Sequence, residues 1–256
     1  MWLLIDIGNS SSKVGIFDPT TGTGRVPGEV IRTARFEHTG YQVQALREFV
    51  GDDPVSQAGG VSVVPSHRST WEDAVRQVCG AEPRFFNESS SLPLTLAYET
   101  PQTLGHDRIA AAVGGWTRFG EPGERGVIVI DAGTAVNIEV VRPNGHYRGG
   151  IIAPGVTLMR DALGAGTAQL PAVDLELPDS PVGRSTREAL QNGLLTMLLE
   201  GVSGMVRRIR HEDPAPYAVV TSGGWGAWIV EQLRVDWACD RNLVLKGISD
   251  LMRLSA

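Results

Sequence analysis

The stretch Leu4–Asp18, LIDIGNSSSKVGIFD, places an acidic residue inside an apolar run and then interrupts the run with Gly, Asn and Ser. Two β-rich runs around a short polar segment are typical of a hairpin. We therefore predict a strand at Trp2–Ile7, a tight turn at Gly8–Ser12 and a second strand at Lys13–Phe17. This hairpin decides the fold, because its acidic strand end and its small-residue turn recur elsewhere in the chain.

Small residues after a strand let backbone N–H groups approach an anion, and hydroxyl groups add donors, so the turn suits a phosphate. Asp6 would repel a phosphate by itself. Its natural partner is a divalent cation that the phosphate also binds, such as Mg²⁺, which usually keeps several waters. Lys13 is one of two lysines in the chain. It either supplies a compact, mobile charge to the phosphate or lies on a strand edge.

The same pattern recurs about half a chain later. Gly126–Val141, GVIVIDAGTAVNIEVV, again runs from an apolar strand through an acid into a short turn and a second strand, and Asp131 follows Asp6 by 125 residues. A third passage, Tyr217–Trp228, leaves an apolar strand through Ser-Gly-Gly. Each motif alone is equally well explained by an acid that ends a strand and a glycine that allows positive φ. Together the motifs favour two facing turns that bind a nucleotide triphosphate.

Helical patterns separate these strands. Leu104–Gly115 predicts a helix that ends at its Gly-Gly pair, and Ser185–Arg210 predicts a long helix with an apolar face and a capping box at its start. Strands that alternate with helices indicate α/β architecture, and the Gly- and Pro-containing loop at 119–125 divides the chain. We predict two duplicated domains, 1–118 and 119–256, each with one phosphate motif, with a nucleotide cleft between them.

Composition argues against several classes of function. A net charge of −6 disfavours a nucleic-acid partner, which usually requires a basic surface. Cys79 and Cys239 show neither CxxC spacing nor a nearby histidine cluster, so they predict no disulfide framework and no zinc site. Leu3–Ile7 is too short for a membrane span and contains an acid. We expect a cytoplasmic protein without a membrane partner.

Gly105–Arg108, GHDR, places an acid and an arginine beside the start of a predicted helix. Asp107 could accept a proton from a substrate hydroxyl, and Arg108 could hold a substrate carboxylate with its forked guanidinium. The alternative, a capping Asp with a neighbouring surface Arg, is favoured by the spacing alone. His106 has no ligand or catalytic partner in the sequence, which indicates a structural role.

Further motifs extend the pattern over nearly the whole chain. They are YETPQTLGHDR, GGIIAPGVTLMRDAL followed by TAQLP, STREALQNG, SGG and NLVLKG, in that order around the second Asp-Gly turn. From Leu4 to Lys246 the chain resembles the type III pantothenate kinases, which belong to the superfamily of acetate and sugar kinases, heat-shock chaperones and actin. The resemblance implies two ribonuclease-H-like domains, a homodimer, and ATP-dependent phosphorylation of pantothenate at its 4′-hydroxyl, the first step of coenzyme A biosynthesis.

The resemblance also implies roles for individual residues. The ATP phosphates would contact Asp6, Gly8, Asn9, Ser10, Lys13, Gly133, Thr134 and Gly223, with Mg²⁺ at Asp6 and a monovalent cation, K⁺ in the family, at Asp131. Asp107 matches the catalytic base. Pantothenate would contact Tyr98, Gly105, His106, Asp107 and Arg108, together with Thr186 from the second subunit.

One departure from the family pattern concerns the cation. In the motif D-x-G-T-A-x-T-x-D this chain has Asn137 and Glu139 at the last two marked positions, and Glu139 reaches one methylene farther than Asp. The cation preference and the metal geometry are therefore the properties that this departure leaves open. Two alternative functions stay open: a non-catalytic regulatory protein of the Bvg accessory factor type that binds nucleotide, and a small-molecule kinase or phosphatase of the same superfamily with another substrate.

Overall fold

The first half of the chain builds a mixed sheet. The computed structural model describes residues 1–22, 26–38 and 42–255. The strand order is β3-β2-β1-β4-β5, formed by β1 (Trp2–Ile7), β2 (Ser11–Asp18), β3 (Glu29–Glu37), β4 (Gln57–Ser62) and β5 (Arg84–Phe85). β1, β2 and β3 are antiparallel neighbours, and β4 runs parallel to β1 and β5. The predicted turn is shorter than expected, because Ser11 and Ser12 already pair with β3.

The second sheet repeats this arrangement. Its order is β11-β10-β7-β8-β9-β6, formed by β6 (Thr95–Leu96), β7 (Gly126–Ala132), β8 (Ala135–Val141), β9 (His146–Pro154), β10 (Tyr217–Ser222) and β11 (Ala238–Cys239). β7, β8 and β9 are antiparallel neighbours, and β10 runs parallel to β7 and β11. The strand directions of β7 to β11 match those of β1 to β5, which confirms the duplication that the two Asp-Gly turns indicate.

Helices cover both faces of each sheet. They are α1 (Gln42–Val50), α2 (Pro65–Cys79), α3 (His106–Phe119), α4 (Val156–Gly166), α5 (Thr186–Glu212), α6 (Gly226–Leu233) and α7 (Leu243–Leu254). α1 and α2 share a core with one face of the first sheet, α5 and α6 share one with the second sheet, and α3 and α7 lie between the two sheets. Within the described ranges, no helix combines the length and the apolar character that crossing a membrane requires.

Strand alternation decides where the acids lie. Leu3 and Ile5 face α1 and α2, whereas Leu4 packs in the core with α3 and α7. Successive side chains of a strand point to opposite faces, so Asp6 lies on the face of Leu4. By the same alternation Asp131 shares the face of Val129, which also packs with α3 and α7. Both acids therefore lie on the faces that the two sheets turn toward each other.

The prediction that a helix ends at Gly114-Gly115 is wrong, because α3 continues to Phe119. Tertiary packing explains the two glycines. A Cβ on Gly114 would lie 2.5 Å from the Leu243 carbonyl oxygen of α7, and one on Gly115 would lie 2.3 Å from a methyl group of Val129. The glycines thus let α3 approach α7 and β7 closely.

Two elements cross the predicted boundary between residues 118 and 119. β6 precedes the boundary but pairs with β9 of the second sheet. α7 follows it but packs against β1 and β4 of the first sheet. Both predicted domains also include residues outside the described part of the chain, namely 23–25, 39–41 and 256. The two units are therefore tied together by exchanged elements as well as by the connecting loop.

Candidate active site

The two predicted phosphate turns, which follow Asp6 and Asp131, meet across the cleft. Ser10 Oγ lies 3.4 Å from Thr134 Oγ1, although 124 residues separate them. Each turn is closed by one backbone hydrogen bond, from the Gly8 N–H to the Ser11 carbonyl at 3.2 Å and from the Gly133 N–H to the Ala135 carbonyl at 2.9 Å. The remaining polar groups of both turns can therefore face one ligand. Asn9 and Thr134 are exposed, as a phosphate site requires.

A third turn supports the second phosphate turn. Gly223 has φ +77°, and a Cβ there would lie 2.4 Å from the Ala132 carbonyl oxygen and 2.6 Å from Asp131 Oδ1. Only glycine combines this conformation with so close an approach. The Trp225 N–H then donates to the Ala132 carbonyl at 3.1 Å. The Ser-Gly-Gly passage thereby lies directly against the end of β7.

Three carboxyl groups share the cleft. Burial, followed by the charges of Asp107 and Asp131, raises the pKa of Asp6 to about 8, although Lys13 and Arg35 oppose the shift. Burial, followed by the charge of Asp107, raises the pKa of Asp131 to about 6. Burial also raises the pKa of Asp107 against the opposing hydrogen bond and charge of Arg108. Crowded acids of this kind are stabilised in their ionised form by a bound cation.

Asp6 fits a divalent cation. Its Oδ1 is buried and forms no hydrogen bond to any described residue. A buried carboxylate oxygen without a partner is costly, and Mg²⁺ or one of its waters would satisfy it. In the described part of the chain, no group of three or more His, Cys, Asp or Glu side chains is placed to hold a metal alone. Mg²⁺ would therefore take most of its ligands from water and nucleotide phosphates.

Lys13 lies opposite Asp6 in the β1–β2 register. Its Nζ donates a hydrogen bond to the backbone carbonyl of Arg241, in the segment between β11 and α7. Burial lowers the pKa of Lys13, whereas the charges of Asp6 and Asp131 act in the opposite direction. The ammonium group thus joins the first sheet to the C-terminal segment beside both acids.

The acceptor side of the cleft is formed at the start of α3. Asp107 lies in the first turn, and its Oδ1 accepts a hydrogen bond from the Arg108 N–H at 2.8 Å. Gly105 is the N-cap, where a Cβ would lie 2.6 Å from Asp107 Oδ1, so glycine leaves room for the carboxyl group. The ring of Tyr98 lies 6.0 Å from that of Tyr147 between centroids, and Tyr147 in turn contacts Arg108.

Arg108 makes its forked contact within the protein. Its Nε and Nη2 donate to the two oxygens of Glu139 at 2.7 and 2.8 Å, and the Tyr147 hydroxyl donates to Glu139 Oε2 at 2.6 Å. Burial lowers the pKa of Arg108, but the hydrogen bonds and charge of Glu139 outweigh burial and the net shift is upward. The interpretation that this fork is free for a substrate carboxylate needs correction, because Glu139 already occupies it.

This pair also bears on the cation geometry. Glu139 is buried, and its two oxygens are engaged by Arg108 and Tyr147. Asp131 pairs with Asn137 in the β7–β8 register, whereas Glu139 pairs with Val129. Asp131 is therefore the acid that the second hairpin offers to a cation. The signal for the Arg108 pair was present in the sequence, because an acid between apolar residues of a buried strand requires a partner.

The structure places His106 at the first position of α3, next to Asp107. His106 Nε2 is 3.4 Å from Glu88 Oε2. Thr186 is exposed at the first position of α5. The predicted cap before it is confirmed, because Ser185 Oγ accepts from the Glu188 N–H at 3.2 Å, although the Glu188 carboxylate accepts from the Arg184 N–H rather than from that of Ser185.

Two facing Asp-Gly turns on duplicated ribonuclease-H-like units, with a carboxyl group at the start of a helix between them, are typical of kinases of the actin-like fold. A family model described as type III pantothenate kinase matches residues 2–208. The chain belongs to this family.

Named members of the family are similar to this chain in sequence over nearly its full length. A type III pantothenate kinase of Chlorobaculum parvum is 33% identical over 99% of this chain and 95% of its own. Type III pantothenate kinase 1 of Symbiobacterium thermophilum is 33% identical over 100% and 97%. Among solved structures, a Campylobacter jejuni protein assigned to the Baf family of transcriptional activators matches with TM-score 0.60 and 20% identity over 99% of this chain and 98% of its own. That last likeness concerns the fold alone.

Proposed function

We propose that this protein transfers the γ-phosphate of ATP to the 4′-hydroxyl of pantothenate, the first step of coenzyme A biosynthesis, in the cytoplasm. The observation that carries the proposal is the contact between the two phosphate turns, Ser10 Oγ to Thr134 Oγ1 at 3.4 Å. It brings Asp6 and Asp131 to one cleft with Asp107. Family membership supplies the acceptor, because the relatives are named for pantothenate.

In the proposed reaction Asp107 accepts the proton of the 4′-hydroxyl as its oxygen attacks the γ-phosphorus. The bond from that phosphorus to the β–γ bridging oxygen breaks, and ADP leaves. The upward-shifted pKa of Asp107 brings this base closer to the working pH. Lys13 and the N–H groups of both turns are suited to hold the phosphates, and positioning of this kind dominates phosphoryl transfer.

Mg²⁺ at Asp6 would neutralise charge on the β- and γ-phosphates, which is its usual role in such sites. The unpartnered Oδ1 of Asp6 supports this assignment. A monovalent cation, K⁺ in the proposal, would bind at Asp131, where burial and then the charge of Asp107 raise the pKa of the carboxyl group. Tyr98, Gly105, His106 and Arg108 are the proposed pantothenate contacts. A pantothenate carboxylate would then meet the side of Arg108 that Glu139 leaves open.

We further propose a homodimer in which Thr186 of one subunit reaches the pantothenate site of the other. Large apolar side chains are exposed on the second unit, among them Ile152 at 65%, Val182 at 73% and Met197 at 65%. Exposed apolar surface of this kind often marks an interface. Met197 lies on α5, the helix that begins at Thr186.

The test is ADP release by dialysed protein with ATP and Mg²⁺, with and without pantothenate, each in K⁺ and in Na⁺ buffer. Release that depends on pantothenate is the expected result, with a higher rate in K⁺. Equal rates in both buffers would remove the K⁺ assignment and leave the reaction. ATP binding without any release would contradict the kinase and favour the regulatory alternative.

A further inference from the structure

Three side chains hold the first phosphate turn from behind. One belongs to β3, one to the residue that follows β3, and one to α2. Arg35 Nη1 donates to Ser11 Oγ at 3.1 Å. Trp71 Nε1, fully buried, donates to Ser12 Oγ at 2.9 Å. His38 Nε2 lies 2.8 Å from the Gly8 carbonyl oxygen. The first two contacts hold side chains of β2, whereas His38 alone of the three holds the backbone of the turn.

The chemistry of the contact assigns the donor. A carbonyl oxygen only accepts, so Nε2 of His38 carries the proton and donates. The other ring nitrogen, Nδ1, is buried and has no hydrogen-bond partner among the described residues. The His38 ring also stacks on the ring of His67 in the first turn of α2, with centroids 4.0 Å apart and planes 8° apart. This stacking fixes the ring plane and hence the direction of the Nε2–H bond.

The direction of the Nε2–H bond determines where the backbone N–H of Asn9 points on the ligand side of the turn. The peptide unit that joins Gly8 to Asn9 is planar and trans, so its C=O and N–H bonds point in opposite directions. A donor that holds the Gly8 carbonyl from behind therefore aims the Asn9 N–H away from His38. Asn9 is exposed at the tip of the turn that faces Thr134. Its N–H is the kind of donor that a phosphate requires.

We propose that His38 is a positioning residue for the nucleotide: through the Gly8 carbonyl it orients the Gly8–Asn9 peptide so that the Asn9 N–H binds an ATP phosphate. This inference rests on the proposed function, because it concerns the same phosphate turn. His38 acts from the rear of the turn without contacting the nucleotide. His67 contributes by holding the His38 ring in its plane.

Variants that keep or remove the donor test this role. His38→Gln places an amide N–H at a reach close to that of Nε2, whereas His38→Leu removes the donor. His146→Leu, at an exposed position at the start of β9, is the matched control. We expect His38→Leu to raise the KM for ATP about tenfold, the loss of roughly one hydrogen bond. The KM for pantothenate should change less than about twofold, and His38→Gln should restore the KM for ATP.

Two results would overturn the proposal. One is an unchanged KM for ATP in His38→Leu. The other is a His38→Gln variant as impaired as His38→Leu, since the ring rather than its donor would then matter. If His38→Leu fails to fold, His38→Asn takes its place, because its shorter amide stops short of the Gly8 carbonyl. Calorimetric ATP binding without pantothenate gives the same ranking of variants even if the protein does not phosphorylate pantothenate, so the two proposals fail separately.

Discussion

At the scale of single residues, the site contains carboxyl groups whose ionised form is disfavoured in the protein without ligands. Burial and then the charge of Asp107 disfavour ionisation of both Asp6 and Asp131, and the charge of Asp131 adds to the effect on Asp6. Lys13 opposes both shifts and cannot cancel them. A divalent cation that accompanies ATP would neutralise part of this negative charge.

Replacing Asp6 by Asn should stabilise the ligand-free protein at alkaline pH. The same replacement should abolish turnover. Burial, followed by the charges of Asp107 and Asp131, raises the pKa of Asp6 from 3.8 in the unfolded chain to about 8 in the folded chain. Between these values the folded state holds a proton that the unfolded state has released, so the free energy of unfolding falls as pH rises. Asp6→Asn removes this loss.

The measurement is thermal melting at pH 8.5 and at pH 4, without nucleotide or Mg²⁺. At pH 8.5 we expect Asp6→Asn to melt at least about 2–4 °C above the wild type, the shift that corresponds to about 1 kcal/mol for a chain of this size. At pH 4 the two should melt together. Asp52→Asn, at an exposed position, is the control. A lower melting temperature at pH 8.5 would show that Asp6 is stabilised by partners in the folded state.

Asp107→Asn should lower kcat by at least about 10²-fold, because a general base contributes roughly 10²–10⁴-fold. The KM for ATP should stay within about twofold. In the wild type the rate should fall as pH drops and Asp107 takes up its proton, from a pKa above the usual value for Asp. Asp73→Asn, exposed on α2, is the control. An unchanged kcat would remove Asp107 from the role of base.

At the scale of elements, α3 and α7 form the joint between the two sheets. The helices approach closely at glycines: a Cβ on Gly247 would lie 1.9 Å from the Ala110 carbonyl oxygen. A buried ion pair between Arg118 and Asp250, with a 2.6 Å hydrogen bond from Thr117 to the same carboxylate, joins the helices one turn farther on. Because Asp107 lies at the start of α3, this joint also positions the proposed base.

Gly247→Ala should destabilise the protein by about 1–3 kcal/mol, the usual cost of forcing a methyl group into a packed core. The helix propensity of alanine exceeds that of glycine by about 1 kcal/mol, so propensity alone would make the variant more stable. A loss of stability can therefore be attributed to packing. Gly164→Ala in α4, where a Cβ would meet nothing within 4 Å, is the matched control and should be neutral or slightly stabilising. Urea unfolding measures both. Equal stability of the two variants would mean that α3 and α7 can separate at little cost.

The same joint shows how far sequence reasoning reaches. The strands that carry Asp6 and Asp131 near their C-terminal ends were predictable, because alternation and small-residue turns are local patterns. The continuation of α3 through Gly114-Gly115 was not, since the reason lies in tertiary contacts with β7 and with α7, the latter more than 120 residues later. That Glu139 occupies the fork of Arg108 was not predictable for a similar reason, because Arg108 lies on α3 and Glu139 on β8. Contacts distant in sequence decide these features, and no local spacing encodes them.

At the scale of the whole molecule, the exposed apolar side chains of the second unit are the basis of the proposed homodimer. Met197→Glu places a charge on the exposed face of α5, where it would be costly to bury. We expect sedimentation at micromolar concentration to show that Met197→Glu is a monomer. The activity of this variant should fall at least about tenfold. Ile31→Glu, at an exposed apolar position on β3, should leave both unchanged. A fully active Met197→Glu monomer would contradict a site shared between subunits.

A mixing experiment separates a shared site from one that merely needs the dimer for stability. Asp107→Asn and Thr186→Val should each be nearly inactive alone. In a mixed dimer one site combines the intact Asp107 of one subunit with the intact Thr186 of the other, and the second site carries both changes. Random exchange at equal amounts should therefore restore about a quarter of the wild-type activity, because half of the dimers are mixed and each has one intact site. If each site lies within one chain, mixed dimers contain no intact site and the activity of the mixture stays at the mean of its parents.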